Sequence, residues 1–363
     1  MSQEPPEEQA SPLPTTRRAW VLTAGNVANM KLETQPMPAP GDGEVLVAVE
    51  AIGLNFADVF SVLGLYGATP EGAFTPGLEF AGSVVSARGD VPFRPGDRVM
   101  GCTRFGAYAD YVVSPAALLR PIPDSWSVAQ GAACLVQALT MYYALVALGG
   151  LRAGHAVMVH SLAGGCGQWA AKICRHVGAV VSGTVGSEAK KAGLLEQLPW
   201  LQPWQVVVRE TPREFGAQLD GVLSQAGAEG FDVVLDAVLG GWMQPGFDRV
   251  AKGGRYVVYG AADMTPKGGK PGWIRLAWQY LTRPRIDPLA LPGQNRSVMG
   301  FNLIWMFDKV DELGRMVDEL LAMDLAPAEI GVTMPFEDAP AAIAKLQSGQ
   351  TTGKVVLTVR REG

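Results

Sequence analysis

One segment constrains this chain more than any other: Val159-His160-Ser161-Leu162-Ala163-Gly164-Gly165-Cys166-Gly167. An all-apolar run, Ala156–His160 (AVMVH), leads into it, and Gly167–Val177 (GQWAAKICRHV) follows with helical spacing. A short run without polar alternation suits a strand covered on both faces, as in a parallel sheet. A glycine-rich turn between such a strand and a helix lets the backbone approach a pyrophosphate. The helix start then offers unpaired N–H groups and a positive dipole end. Gly165, Gly167 and Ala170 fit G-x-G-x-x-A. The bare pattern also fits a tight turn that binds nothing. The strand before, the helix after and a second strand about twenty residues on favour a dinucleotide held by Ala163, Gly164, Gly165, Cys166 and Gly167.

Strands and helices keep alternating beyond this point. Ala179–Ser182, Gln205–Val208, Phe231–Asp236 and Gly254–Tyr259 read as strands, and Ser187–Leu198 as a helix. Tyr259 and Gly260 then stand at a carboxyl edge, where open α/β sheets bind ligands. The earlier stretch, Arg18 to about Pro121, reads differently. Val45–Ile52, Ala81–Ala87 and Arg98–Cys102 are short strands between turn residues such as Arg94-Pro95-Gly96-Asp97, which predicts a compact, barrel-like β domain. After a Pro- and Trp-rich segment, Ala262–Ser297, helices are expected near Val310–Met323 and Ala339–Ser348. The closing strand Lys354–Val359 has no helix after it and is expected to return to the first domain.

Composition excludes several classes. With a net charge of -5, the chain has no basic surplus for phosphate backbones, so nucleic acid is not the expected partner. Four cysteines without a C-x-x-C pair, in 363 residues, suggest neither a disulfide framework nor a zinc ribbon, and a reducing cytoplasm fits. Residues 1–16, acidic and proline-rich, read as a disordered tail without signal-peptide character. Ser125–Leu151 carries no charge and is long enough to span a membrane, but Gln130, Gln137 and Thr140 interrupt it, which favours a buried helix between domains. Cofactor choice is legible at the second strand's tip. Ser182-Gly183-Thr184-Val185-Gly186-Ser187 has no acid for ribose hydroxyls, while Lys190, Lys191 and Arg209 follow, so NADPH is expected over NADH. A solvated helix face is the other reading of the lysines.

Together these segments resemble a medium-chain dehydrogenase/reductase of the zinc-independent quinone oxidoreductase branch. The matching pieces are Gly53-Leu54-Asn55-Phe56-Ala57-Asp58, Pro76-Gly77-Leu78-Glu79-Phe80-Ala81-Gly82, Arg94–Val99, Ala163–Gly167, Gly183–Lys190 and Gly353-Lys354-Val355. Within that branch the chain is most similar to the vesicle amine transport protein group, through Tyr259–Asp263, Trp273–Trp278 and Ser297–Leu303. The resemblance implies a GroES-like β-barrel domain from residues 17–137 and 306–363, and a Rossmann NADP(H)-binding domain, a doubly wound parallel sheet, from 138–305. It implies a homodimer, and leaves membrane association open but not favoured. It brings Asn55, Asp58 and Tyr66 to the catalytic centre: Asn55 to orient the acceptor, Asp58 to organise the loop, Tyr66 as proton donor. Asn55 as a helix cap and Tyr66 as a packing residue are the plainer readings. Gln137 and Thr140 share a helix face, which in the family meets the nicotinamide ribose. Gly186, Ser187, Lys190, Phe301, Asn302 and Lys354 join the cofactor set.

Zinc-dependent relatives hold a metal ligand where Leu54 or Asn55 and Leu78 stand here. Without a Lewis acid, the acceptor must take hydride unaided, as a conjugated carbonyl does at its β-carbon. The expected function is therefore NADPH-dependent reduction of a small apolar quinone or enone. An enoyl reductase for bulky or carrier-bound substrates, and a non-catalytic nucleotide- or lipid-binding protein, are the alternatives. Trp273, Trp278, Tyr280 and Trp305 could line a pocket, form a membrane-facing lip, pack in the core or make a subunit contact.

Overall fold

The computed structural model describes residues 14–265 and 272–360. Most of the expected tail and part of the Pro- and Trp-rich segment lie outside the described residues.

The first part of the chain forms eight strands: β1 (Thr16–Thr23), β2 (Lys31–Pro36), β3 (Glu44–Gly53), β4 (Ala73–Phe74), β5 (Glu79–Ala87), β6 (Arg98–Cys102), β7 (Tyr111–Pro115) and β8 (Leu119–Pro121). β3 is the centre of a seven-stranded sheet, pairing with β5 and β7. Its run Val45–Val49 is buried, which is why apolar residues occupy successive positions and not alternate ones. The chain's far end supplies the rest. β15 (Ile330–Pro335) lies parallel to β16 (Lys354–Thr358), and β16 runs antiparallel to β3 with Leu357 opposite Ile52. Two helices join this unit, α1 (Phe56–Val62) and α11 (Ala339–Gln347).

Between the two ends lie six parallel strands in the order β11-β10-β9-β12-β13-β14. They are β9 (Ala156–Val159), β10 (Val180–Val185), β11 (Val206–Val208), β12 (Phe231–Asp236), β13 (Val250–Val258) and β14 (Ser297–Gly300). The order reverses between β9 and β12, which opens a crevice at their carboxyl ends. α4 (Gly165–Val177) leaves β9 and ends on Gly178, whose φ of 84° closes the helix in the left-handed conformation. α5 (Glu188–Gln197) follows β10 with Ser187 as its cap. α6 (Pro212–Ala226) follows β11, capped by Thr211 with proline in its first turn.

The uncharged stretch is not one helix. It breaks into α2 (Val128–Ala132), α3 (Leu135–Tyr142) and a π-helical turn, Tyr143–Leu148. Ala138, Leu139, Met141, Ala144 and Leu145 are buried in the largest core cluster, against α4 and α10 (Val310–Leu321). Among the described residues no helix is long and apolar enough to cross a membrane. The remaining helices are α7 (Met243–Asp248), α8 (Trp273–Leu281) and α9 (Ala290–Gln294). α8 buries none of its residues, and Trp273, Trp278, Tyr280 and Trp305 are all exposed, so none of the four is a core residue of this chain.

Candidate active site

A cleft of about 1620 Å³ runs along the carboxyl ends of the parallel strands and is closed on its other side by the β3–α1 loop, Tyr66 and the chain entering β16. The glycine turn forms one wall. Ser161 takes a positive φ of 58° to leave β9, and Gly164 N–H donates to the Ser161 carbonyl at 2.9 Å. A Cβ on Gly165 would stand 1.9 Å from Gln137 Oε1, and one on Gly167 would stand 2.5 Å from Leu162 Cα. Both positions are crowded, Gly165 by the end of a side chain that can move and Gly167 by backbone that cannot. Gln137 Oε1 is itself buried and finds no hydrogen-bond partner among the described residues. Thr140, one turn further along α3, also lines the cleft, its hydroxyl donating to the Val136 carbonyl at 2.6 Å.

At one end of the cleft stand Gly186, Lys190, Arg209 and Trp242. Lys190 Nζ donates to the Gly349 carbonyl at 2.5 Å, and Arg209 Nη1 to Thr184 Oγ1 at 3.0 Å. Burial lowers the pKa of both cations; the neighbouring Arg209 lowers that of Lys190 further, while Asp236 opposes the effect on Arg209. Two partly desolvated cations side by side form a place that favours an anion. Lys191 and Ser187 are not part of the lining; Ser187 Oγ accepts the Lys190 backbone N–H at 3.3 Å as a helix cap.

At the other end Tyr66 reaches across to the parallel-sheet unit. Its hydroxyl donates to Asn302 Oδ1 at 2.7 Å, and burial pushes its pKa up to about 12, with the Asn302 bond opposing. Phe301 lies against Tyr259, ring centroids 6.3 Å apart. Cys166 faces the same cleft, and burial raises its thiol to about 12, so it stays a thiol at neutral pH. Asn55 holds the N-cap position of α1 but makes no capping bond with its side chain. Its Oδ1 accepts from Lys354 Nζ at 2.8 Å, while Nδ2 donates to Glu79 Oε1 at 2.9 Å and faces the Gly53 carbonyl at 3.4 Å. The amide expected to orient a substrate is thus already engaged within the protein. Lys354, expected on the cofactor, ion-pairs with Glu79 and is fully buried. Asp58 lies beneath the lining. It accepts the Asn55 backbone N–H at 2.7 Å, and burial raises its pKa to about 7 against that bond.

Sequence reasoning missed Glu79, Trp242 and Asp236. Glu79 had a signal: it is a lone acid in an apolar run, as Lys354 is a lone cation at the head of one, and buried charges need partners.

The glycine cradle, the orphaned Gln137 oxygen and the paired cations fit a dinucleotide of the NAD(P) type. Fold and site together define a two-domain oxidoreductase, with a split β domain and a dinucleotide-binding sheet. The alcohol dehydrogenase GroES-like domain family matches residues 41–124, and the zinc-binding dehydrogenase family matches residues 204–357. The rat synaptic vesicle membrane protein VAT-1 homolog is 34% identical over 349 residues, covering 94% of this chain and 83% of that protein. Among solved structures, a mycobacterial protein complexed with NADPH superimposes with a TM-score of 0.78 at 28% identity, covering 94% of this chain and 99% of the other. A quinone oxidoreductase of Pseudomonas syringae pv. Tomato DC3000 gives a TM-score of 0.75 at 28% identity, with the same coverage of 94% and 99%. The chain belongs to the medium-chain dehydrogenase/reductase family and stands close to the VAT-1 homologs within it.

The residues here do not fit the zinc that this family can carry. Leu54 and Leu78 are buried hydrocarbon, Asn55 is engaged, and the Lys354 ammonium already stands beside Glu79 as the local cation. Among the described residues no group of three or more His, Cys, Asp or Glu is placed to hold a metal.

Proposed function

We propose that this protein is an NADPH-dependent reductase of quinones or other α,β-unsaturated carbonyls, working without a metal. The observation that carries the reading is the mixed lining of the cleft: the cations Lys190 and Arg209 on one hand, and on the other the apolar side chains of Val27, Phe56, Phe60, Leu65 and Phe307 together with Tyr66. NADPH bound there supplies the hydride. Lys190 and Arg209 take its 2′-phosphate, the turn Ala163–Gly167 its pyrophosphate, and Gln137, Thr140, Tyr259, Gly260, Phe301 and Asn302 surround the reactive end. The apolar wall admits a flat conjugated acceptor and excludes water from it. Tyr66, with its proton firmly held, delivers that proton to the α-carbon of an enone after hydride has reached the β-carbon. A quinone needs no such donor, because its reduced form takes protons from water. The same reading makes the protein a cytoplasmic homodimer that binds no nucleic acid; the outer edge of β14, unpaired among the described residues, and the exposed face of α8 support a second copy there.

The test is NADPH oxidation against a panel of quinones, enones and enoyl thioesters. Turnover of quinones or enones is expected. Turnover of enoyl thioesters alone replaces this reading with a biosynthetic enoyl reductase, and no turnover at all with a nucleotide- or lipid-binding protein.

A further inference from the structure

Three groups with formal or strong partial charge are buried together under the substrate side of the cleft: Asn55, Glu79 and Lys354. Lysine can only donate and a carboxylate can only accept. An amide placed between them has one orientation, oxygen to Lys354 and nitrogen to Glu79, and that is the orientation found. Each member also reaches a different part of the cleft. Glu79 Oε2 accepts the Val136 N–H at 3.0 Å, and the next residue on α3 is Gln137, whose carboxamide abuts Gly165. The residue before Lys354, Gly353, makes a β-bridge to Gly164 in the glycine turn. Gly353 has a φ of 69°, and a Cβ there would stand 2.6 Å from the Glu329 carbonyl, so the approach depends on glycine.

We propose that Glu79 and Lys354 are positioning residues: a buried ion pair that fixes the Asn55 amide and ties the β3–α1 loop to the glycine turn and to α3, so that these walls hold the reactive end of the bound cofactor as one unit. This rests on the function proposed above. Glu79 is not part of the cleft lining, and Lys354, which is, spends its ammonium on Asn55 Oδ1 and Glu79; both act through Asn55, Val136 and Gly353. The pair takes the place that a packed apolar contact could fill, and its use lies in direction: an apolar contact cannot choose which way an amide faces.

The test separates the two ends of the cofactor. Adenosine 2′,5′-bisphosphate carries the adenosine and 2′-phosphate but no nicotinamide. Wild type, Glu79→Gln, Lys354→Met and the double variant Glu79→Gln/Lys354→Met are titrated with it and with NADPH by protein fluorescence, and their melting is measured. Each single variant strands a buried charge and should melt well below wild type; the doubly neutral protein should recover. In that recovered protein the bisphosphate should bind as in wild type, while NADPH binds about tenfold more weakly. With a quinone acceptor, kcat should fall more than KM rises. An unchanged ratio of the two affinities, or equal loss of both, overturns the inference. If the double variant does not fold, Glu79→Asp, which keeps the charge and shortens its reach, puts the same ratio to the same judgement. Wild-type protein that binds no NADPH removes the proposed function and this inference together; wild-type binding with an unchanged ratio in the variants removes the inference alone.

Discussion

Gly165→Ala and Gly167→Ala add the same methyl group two residues apart and should fail in different ways. At Gly165 the methyl meets Gln137 Oε1 at 1.9 Å and its Nε2 at 2.8 Å, the far end of a flexible side chain. Gln137 can swing aside for roughly 0.5–1.5 kcal/mol of rotamer cost. Alanine recovers up to about 1 kcal/mol over glycine in a helix. Stability should therefore change by no more than about 1 kcal/mol, or a few degrees in Tm. Binding is another matter, because the methyl stands where the dinucleotide backbone must come close and Gln137 has left its place. An overpacked contact of roughly 1–3 kcal/mol weakens NADPH about five- to a hundredfold. At Gly167 the methyl meets Leu162 Cα, the Leu162 carbonyl and the Ser161 carbonyl, all at 2.5 Å. These are backbone atoms, so the turn itself must move and the cost falls on folding. Thermal melts followed by circular dichroism, with NADPH titrations on the same preparations, read both quantities. Intact NADPH affinity in Gly165→Ala, or an equal loss of Tm in the two variants, would refute this assignment of the turn.

Lys190→Ala should weaken NADPH roughly tenfold and leave NADH nearly unchanged, since an exposed edge of the cleft limits the charge contact to about 1–2 kcal/mol; parallel titrations with both cofactors decide it. Tyr66→Phe should slow enone reduction by about a hundredfold or more while quinone reduction and NADPH affinity hold, as general acid catalysis is worth at least that much; equal rates on an enone would rule the hydroxyl out as donor. Asp58 gives a pH signature. Its carboxyl, raised to about 7, binds a proton in the folded protein that the unfolded chain loses near 3.8, so its contribution is complete below the lower value and is lost as pH rises through the upper one. The gap corresponds to something on the order of 4 kcal/mol. Asp58→Asn should therefore flatten the decline of Tm between about pH 4 and 7, measured by melts in a single buffer series; an unchanged slope assigns the decline to other groups.

What could be read from the residues was what local rules govern. The turn at Gly164–Gly167 was legible because strand, glycine and helix are contiguous and each leaves a pattern. The return of Lys354–Thr358 to the first sheet followed from a strand without a partner helix. β14 left no such pattern: Ser297–Gly300 is a four-residue strand with every residue half-buried or exposed, held by its pairing with β13 and by Val298 and Met299 packing against the core. Ser125–Leu151 shows the limit of composition, because an uncharged run of that length describes a span and a buried pair of helices equally well. The π-helical turn after Tyr142 and the packing of α3 against α4 come from tertiary contacts. The engaged state of Asn55 was beyond reach for the same reason. Its residue type was right for a site, but its partner Lys354 lies 299 positions away. Position in the chain carries no trace of that pairing.

That separation has a consequence for how the molecule comes into being. The parallel sheet is built from one continuous stretch and can form as soon as β14 has been made, whereas the seven-stranded sheet must wait for β16. Until then Glu79 and Asn55 face each other without their cation, and β3 has an open edge where Leu357 will later lie against Ile52. During synthesis the cofactor-binding half therefore precedes the half that completes the catalytic loop. A nascent chain halted before Lys354 should acquire the nucleotide cradle but not the closed cleft, and its β3 edge stays open to misassociation.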